Sequence, residues 1–209
     1  MNLTILIRGY LYKDYSPISS YKRKCRTYQQ DFNKLINNYE KLIKLLSEKY
    51  QVNVIFTTYE TTPKNLLLLI KDKNWNIELY KEKGSTQFSN TIESLKYVND
   101  TTLIIRSDLV LTNKLINTLV NYQYHNCDRL VFLSTEPKVK KRQIKYIDVL
   151  CILPIEYKQS FCQQLIKHSG NPKNGGHYID NIPIQLLSDK KWRCRLDNEY
   201  YKIYRGDIT

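Results

Sequence analysis

The stretch Thr101–Leu111, TTLIIRSDLVL, decides how the rest of the chain is interpreted. Its branched apolar residues run up to Ile105 and lead straight into Arg106, Ser107 and Asp108. Such a run is typical of a strand buried on both faces, as at the centre of an α/β sheet. Ligands of open α/β sheets bind beyond the carboxyl ends of the strands. The arginine and the carboxylate therefore indicate either a site for a phosphorylated ligand and its metal ion, or an ion pair that only caps the next helix.

Apolar runs and amphipathic segments alternate through the first two thirds of the chain. Strands are predicted at residues 3–7, 51–59, 75–80, 101–106 and 129–134. Helical periodicity or helix-start signals between them predict helices at residues 28–50, 62–70, 85–98 and 113–122. Because strands and helices alternate regularly, we expect an α/β fold with a mostly parallel central sheet and helices on both faces.

The last third of the chain has a different pattern. A strand is predicted at residues 146–153 and a helix at 154–168, followed by a turn-rich loop at 169–181 and a mixed segment at 183–204. No linker composition separates this part from the rest. We therefore expect one domain of 209 residues with a smaller, mixed C-terminal part.

The composition limits the classes of partner. The formal net charge is +13, which favours nucleic acid, anionic membranes or phosphorylated small ligands. Basic residues cluster at Lys22–Lys24 and Lys138–Arg142, but no nucleic-acid-binding motif accompanies them. A nucleic-acid partner is therefore not favoured.

The five cysteines and the apolar runs indicate the compartment. Their number is odd and no pair has CxxC spacing, which argues against a disulfide framework and a structural zinc site. Cys151 and Cys162 lie in apolar segments and are expected to be core thiols. No window approaches the ~18 apolar residues of a membrane span. We expect a soluble, cytoplasmic protein in a reducing compartment.

Several short segments, in order, carry a resemblance to a known family. They are LTILIRGY, VNVIFTTYE, STQFSNTIESL, LIIRSDLVL, YIDVLCILP and EYYKIYRGD, at residues 3–10, 52–60, 85–95, 103–111, 146–154 and 199–207. With them, the chain resembles viral and microbial glycosyltransferase-like proteins of the GT-A type. The resemblance implies a Rossmann-like, nucleotide-sugar-binding half at residues 1–135 and an acceptor-binding, closing half at 136–209. It also implies a glycan or glycoprotein acceptor and a location in a host cytoplasm or a virion.

The GT-A resemblance also implies a divalent metal ion, Mn²⁺ or Mg²⁺, held by an Asp-X-Asp motif after the fourth strand. The corresponding residues here are Arg106, Ser107 and Asp108, so only the last acid is present. Two options follow. Asp108 and other ligands hold the metal ion, or Arg106 takes over part of the charge neutralisation of the leaving diphosphate.

The resemblance places candidate donor-binding residues at the ends of the strands. Arg106 is expected to contact phosphate or to orient Asp108, and the alternative is a structural ion pair. Arg8 and Gly9 are further candidates, with a simple turn as the alternative, and so are Thr57, Thr58 and Tyr59, with ordinary strand composition as the alternative. Gln87 is a candidate whose alternative is a solvated helix start. For Lys202 and Arg205 the alternative is a solvated tail. Gly9 also permits positive φ or close approach of a ligand to the backbone.

Three residues in the second half are candidates for the chemistry itself. His177 lies between glycines and an acid in NGGHYID, where it is expected to complete the metal shell; the alternative is an exposed loop histidine. Asp148 and Asp180 are the candidate general bases that would deprotonate the acceptor hydroxyl in an inverting reaction.

Two alternatives to a glycosyltransferase remain open. The first is a non-catalytic relative that binds glycan or nucleotide, because the acidic motif is incomplete. The second is a basic nucleic-acid-binding α/β domain, which only the net charge supports. Nucleophile-elbow, phosphate-loop and HExxH motifs do not occur in the sequence, so the enzyme classes that need them lose support.

Overall fold

The computed structural model describes residues 1–9, 28–81, 87–133, 135–137, 144–146, 150–169, 182–187 and 200–203. Within these ranges the strands are β1 (Asn2–Arg8), β2 (Gln51–Tyr59), β3 (Asn76–Tyr80), β4 (Thr102–Arg106), β5 (Leu109–Leu111), β6 (Leu130–Phe132), β7 (Thr135–Pro137), β8 (Ile144–Tyr146), β9 (Leu150–Leu153), β10 (Ile184–Leu186) and β11 (Tyr201–Ile203). The α-helices are α1 (Tyr28–Ser47), α2 (Lys64–Lys71), α3 (Gln87–Ser94), α4 (Asn113–Val120) and α5 (Lys158–Ser169).

Seven of the strands form one sheet in the order β10-β6-β9-β4-β1-β2-β3. Every neighbouring pair in this sheet is parallel except the two pairs made by β9, which runs antiparallel to β4 and β6. The mostly parallel α/β sheet predicted from the sequence is therefore confirmed. Strands β9 and β10 come from the last third of the chain, so both parts of the sequence contribute to this one sheet.

Apolar side chains cover both faces of the sheet, because each central strand alternates its buried residues between two clusters. One cluster joins the sheet to α1, α2 and α4, and Leu3, Ile5 and Ile7 of β1 belong to it. The other cluster includes Leu6 of β1 together with residues of α5 and of the short 3₁₀ turn after α3. Strands buried on both faces are consistent with the uninterrupted apolar runs in the sequence.

The structure corrects several predicted boundaries. Helix α1 ends at Ser47 rather than Tyr50, because the N–H groups of Lys49 and Tyr50 both donate to the Leu46 carbonyl and close the turn before β2. Pro63 precedes α2 as its N-cap. The predicted helices at 85–98 and 154–168 each divide into an α-helix and a 3₁₀ turn, at 95–97 and 155–157.

Two strand assignments also change. The single strand predicted at residues 146–153 falls on two described elements. β8 ends at Tyr146 and pairs antiparallel with β7, whereas β9 begins at Leu150 and belongs to the main sheet. The residues after Asp108 form β5, which pairs antiparallel with β11 near the C-terminus. Both strands of this second pairing are short, and the partners are far apart in sequence, so local patterns did not reveal it.

Among the described residues, no helix has the length and apolar character needed to cross a bilayer. Three cysteines in these residues, Cys127, Cys151 and Cys162, are free thiols. Cys151 is buried in the second apolar cluster, as expected from the sequence, and Cys162 is partly buried against it.

Truncation of a central strand residue tests this core. Leu103 of β4 is fully buried, so we expect Leu103→Ala to lower the free energy of unfolding by about 2–5 kcal/mol through lost contacts and a residual cavity. Leu68→Ala is the matched control, since Leu68 is 57% exposed and the same truncation there should change stability by less than about 0.5 kcal/mol. Denaturant titration of both variants measures the difference, and equal effects would contradict the burial.

Candidate functional site

Three parallel strands end side by side at the carboxyl edge of the main sheet. Arg8 of β1 is the register partner of Thr57 in β2 and of Arg106 in β4. Backbone hydrogen bonds fix these ends, because Gly9 N–H donates to the Thr57 carbonyl at 3.2 Å and Ser107 N–H donates to the Arg8 carbonyl at 2.8 Å. Arg8, Thr57 and Arg106 therefore stand in one row.

The two arginines of this row emerge on the same face of the sheet. Arg8 lies two residues after Leu6, and Arg106 two residues after Ile104, and both of these apolar residues belong to the cluster next to α5. Side chains of a strand alternate between faces, so both guanidiniums are on that face, on strands about 4.8 Å apart. Arg8 is only 7% exposed. Because a guanidinium is not deprotonated in proteins, the row brings two positive charges to the carboxyl edge.

Asp108 and Arg106 form a two-pronged ion pair. Arg106 Nε donates to Asp108 Oδ1 at 2.9 Å, and Arg106 Nη2 donates to Asp108 Oδ2. The two side chains are 27% and 29% exposed. The alternative in which the pair caps the next helix is wrong, because the N-cap of α4 is Thr112, whose Oγ1 accepts from Leu115 N–H at 3.3 Å. Both carboxylate oxygens of Asp108 are thus engaged by Arg106.

A tyrosine of α1 holds the turn that carries this ion pair. The Tyr39 hydroxyl lies 2.8 Å from the Leu109 carbonyl and 3.0 Å from the Arg106 carbonyl, and it accepts from Leu109 N–H at 3.2 Å. Burial raises the pKa of Tyr39 well above its usual value. The charge of Asp108 raises it further, while the Leu109 hydrogen bond and Arg106 oppose the shift. The hydroxyl therefore remains protonated, and able to donate, well above neutral pH.

Asn38, which precedes Tyr39 in α1, hydrogen-bonds to the backbone of β5 through its side-chain amide. Its Nδ2 donates to the Leu111 carbonyl at 2.9 Å, and its Oδ1 accepts from Leu111 N–H at 2.7 Å. On the other side of β5, β11 pairs so that Lys202 lies opposite Val110. The backbone of Lys202, one of the candidate donor-binding residues, therefore lies next to the strand that directly follows Asp108.

The threonines and the tyrosine at the end of β2 form hydrogen bonds within the protein. Thr57 Oγ1 lies 3.2 Å from the Ser94 hydroxyl, which accepts from Tyr80 OH at 3.0 Å. The Thr58 hydroxyl is paired with that of Thr62 at 2.9 Å, and Tyr59 OH accepts from Asn90 Nδ2. All three predicted residues are at most 3% exposed. This geometry gives Thr57, Thr58 and Tyr59 structural partners, and their predicted contact with a ligand stays a prediction.

Gly9 is explained by the backbone at the end of β1. Its φ is +127°, in the region that favours glycine, and a Cβ built there would lie 2.9 Å from Ser107 Oγ. A Cβ at this position would force Ser107 Oγ to shift, and the positive φ would be strained for any residue other than glycine. The role of Gly9 near a ligand stays a prediction.

The side chains of the remaining candidate residues lie outside the part of the chain that the structure describes. Gln87 begins α3, but its side chain lies outside the described residues. Four others lie wholly outside them, namely Asp148, His177, Asp180 and Arg205. Within the described ranges, no group of three or more His, Cys, Asp or Glu side chains is placed to hold a metal ion.

Sequence reasoning missed the residues that support the site. Tyr39 lies in the apolar stripe of α1, where the helical pattern gives it no polar role, and no motif in the sequence points to Asn38 or Ser94. The available signal was a hydroxyl inside an apolar stripe, because a buried tyrosine usually finds a hydrogen-bond partner.

Comparisons with known proteins agree with this architecture. Protein-family models give no match to the sequence, and neither do curated proteins. Among solved structures, the chain is similar to S. aureus TarS 1–349 in complex with UDP-GlcNAc, with a TM-score of 0.52, 13% identity, and coverage of 99% of this chain and 59% of that one. It is also similar to a Bacillus anthracis protein described as a glucose-1-phosphate thymidylyltransferase, with a TM-score of 0.51, 9% identity, and coverage of 90% and 87%.

A third similar structure is the glycosyltransferase GlyE of Streptococcus pneumoniae TIGR4, with a TM-score of 0.49, 12% identity and coverage of 90% of this chain. The present chain spans 45% of the GlyE chain and 59% of the TarS chain. The TarS and thymidylyltransferase structures show the fold class: the chain has the α/β fold of GT-A-like glycosyltransferases and nucleotidyltransferases.

The Tyr39 hydroxyl can be removed without changing the packing volume. We expect Tyr39→Phe to lower the free energy of unfolding by about 1–3 kcal/mol, because buried backbone groups of Arg106 and Leu109 lose their partner. The loosened turn should also weaken binding of any ligand at the Arg106 edge. Tyr50→Phe is the control, since the Tyr50 hydroxyl donates to the Tyr122 carbonyl instead. Stability loss in both variants with ligand binding reduced only in Tyr39→Phe is the expected result.

Gly9→Ala tests the close approach of β1 and β4. An alanine there combines an unfavourable φ with a contact to Ser107 Oγ, so we expect a loss of more than about 1 kcal/mol in the free energy of unfolding. Thermal unfolding measures it. An unchanged midpoint would contradict the positive φ at this position.

Proposed function

We propose that the chain is a glycosyltransferase that moves a sugar from a nucleotide-diphosphate donor to a hydroxyl of a glycan or glycoprotein. The observation that carries this proposal is the row of Arg8 and Arg106 at the carboxyl ends of adjacent strands. Ligands of open α/β sheets bind at this edge. Guanidinium groups match the planar, two-oxygen geometry of phosphate, so the row is suited to a diphosphate.

The proposed reaction needs positive charge at this edge. As the sugar departs, the nucleoside diphosphate gains negative charge, and groups already positioned to neutralise that charge lower the barrier. Arg8 is held in place by burial and Arg106 by its ion pair, so neither has to be reorganised during the reaction. The sugar donor supplies the leaving group, and the acceptor hydroxyl supplies the nucleophile.

The fold supports the choice of donor class. The TarS structure, whose fold this chain shares over 99% of its length, contains UDP-GlcNAc. We therefore propose a nucleotide sugar as the donor of this chain. Calorimetry with different nucleoside diphosphates and their sugar conjugates would identify its base and sugar.

The other roles in the proposal come from the sequence. Asp148 or Asp180 would act as the general base that accepts the proton of the acceptor hydroxyl, and Gln87 and Arg205 would contact the donor. A metal ion held by Asp108 and His177 was expected from the resemblance.

A non-catalytic protein that binds nucleotide or glycan is the second candidate. One observation favours it, namely that Arg106 stands where the family has its first acid and engages the acid that remains. Such a protein would bind the donor but would not release the nucleoside diphosphate when acceptors are supplied. Measurement of binding and turnover on the same preparation separates the two candidates.

The proposal is tested by calorimetry with UDP, GDP, CDP and dTDP and their sugar conjugates, followed by detection of nucleotide release. We expect one nucleotide class to bind, and Arg8→Gln to weaken that binding at least about tenfold, or about 1.4 kcal/mol. Circular dichroism confirms that the variant is folded.

Arg129→Gln is the matched control for this experiment. Arg129 precedes β6, which runs parallel to β4, so it lies at the opposite edge of the sheet, and its side chain is 54% exposed. Its substitution should leave nucleotide affinity unchanged. Absence of binding to every nucleotide, combined with salt-sensitive binding to nucleic acid, would refute the proposal in favour of a basic nucleic-acid-binding domain.

A further inference from the structure

We infer that this site binds the donor diphosphate without a divalent metal ion, with the Arg106 guanidinium providing the charge neutralisation and Asp108 serving as its partner. The inference rests on the proposed function and concerns how that function is carried out. It reverses the expectation that Asp108 is a metal ligand. Three features of the described residues lead to it.

The first feature is the state of the Asp108 carboxylate. Both of its oxygens accept hydrogen bonds from Arg106 in a parallel, two-pronged arrangement. This is the geometry in which arginine and carboxylate bind each other most strongly. A metal ion that used Asp108 as an inner ligand would have to displace Arg106 or share the carboxylate with it.

The second feature is the charge around that carboxylate. Arg106 forms the ion pair, and Arg8 is its register partner on the adjacent strand and the same face. A divalent cation bound at Asp108 would stand next to two guanidiniums, neither of which can lose its proton. The cation and the guanidiniums would repel one another, and because the site is partly buried, water would screen this repulsion less than at an exposed surface.

The third feature is the ligand set. Divalent Mg²⁺ and Mn²⁺ sites are built mainly from oxygen ligands, with carboxylates prominent among them. In the described part of the chain, Asp108 belongs to no group of three or more potential ligands. The residues present there do not fit a metal site, whereas they do fit a cationic site for phosphate oxygens.

The positive charge supplied by arginine performs the same task as a metal ion. In either case a fixed cation faces the oxygens on which charge develops as the bond to the sugar breaks. Arg106 is oriented by Asp108 through its side chain and by the peptide unit that follows it, whose carbonyl lies 3.0 Å from the Tyr39 hydroxyl and whose Ser107 N–H donates to the Arg8 carbonyl. The site is therefore organised before the donor arrives.

The test compares nucleotide binding with and without metal. The full chain is titrated with the nucleoside diphosphate selected in the panel above, in EDTA and again in excess Mn²⁺. We expect the two dissociation constants to agree within about threefold. Binding that needs Mn²⁺ would overturn the inference and leave the proposed function standing, whereas no binding in either buffer would overturn both.

Two substitutions assign the roles within the pair. In EDTA, Arg106→Gln should weaken nucleotide binding at least about tenfold, whereas Asp108→Asn, which keeps the shape and removes the charge, should still bind. If Asp108 were a metal ligand, Asp108→Asn would instead abolish an Mn²⁺-dependent increase in affinity. Arg129→Gln serves again as the control for loss of one positive charge.

Mn²⁺ binding to the unmodified chain can be measured directly, so the test does not depend on the variants folding. The unmodified chain is titrated with Mn²⁺ alone and in the presence of the nucleoside diphosphate, and bound Mn²⁺ is followed by electron paramagnetic resonance. We expect the protein to take up no more Mn²⁺ than the nucleotide binds by itself. Mn²⁺ bound to the protein–nucleotide complex more tightly, or in greater amount, than to the nucleotide alone would contradict the inference.

Discussion

The parallel register of β1 with both β2 and β4 is the constraint on which the site depends. It sets Arg8 beside Thr57 on one side and Arg106 on the other, and the Ser107 N–H bond to the Arg8 carbonyl ends the ladder at that row. Side chains alternate with a period of two. A slip of one residue would therefore send Arg8 toward the α1 face and bring Ile7 into the row. The apolar clusters on the two faces oppose such a slip, because Ile7 and Leu6 belong to different clusters. The packing of the core thus fixes the position of two charges.

Charges at the edge of an apolar sheet need polar support, and α1 supplies much of it. Tyr39 is almost fully buried among apolar residues, yet its hydroxyl satisfies backbone groups on both sides of the Ser107–Asp108 turn. Asn38 continues that support along β5. Because burial raises the pKa of Tyr39, its hydroxyl remains neutral in the folded protein at physiological pH. Its deprotonation would bring a second negative charge next to Asp108. The stability linked to this group is therefore complete below the ordinary tyrosine pKa and is lost progressively as pH rises from that value through the higher folded pKa.

The sequence predicts those features of the fold and the site that depend on residues close together in the chain. The parallel sheet follows from apolar runs and helical stripes, and β2 was predicted with its observed bounds, Gln51–Tyr59. Arg8 and Arg106 were each recognised as strand-end residues, but their partnership is a register between segments 98 residues apart, and no local pattern contains it. The pairing of β5 with β11 was missed for the same reason. The ion pair of Arg106 with Asp108 was foreseen as an alternative, because the two residues are close in sequence, although its expected helix-capping role belongs to Thr112.

If the proposed function holds, an arginine at the place of the first acid of an Asp-X-Asp motif changes the chemistry of the site rather than weakening it. Two carboxylates in this position attract a cation, which then neutralises the diphosphate. In the proposed site, Arg106 is held by Asp108 and faces the phosphate oxygens, and the neighbouring strand contributes a second guanidinium. Arg8 provides it, two residues after Leu6 and in register with Arg106. An arginine at this strand end is therefore compatible with the proposed function, because the adjacent strand carries the buried Arg8. In the proposed function, Arg106 with Asp108 and the basic end of β1 are two parts of one anion-binding site.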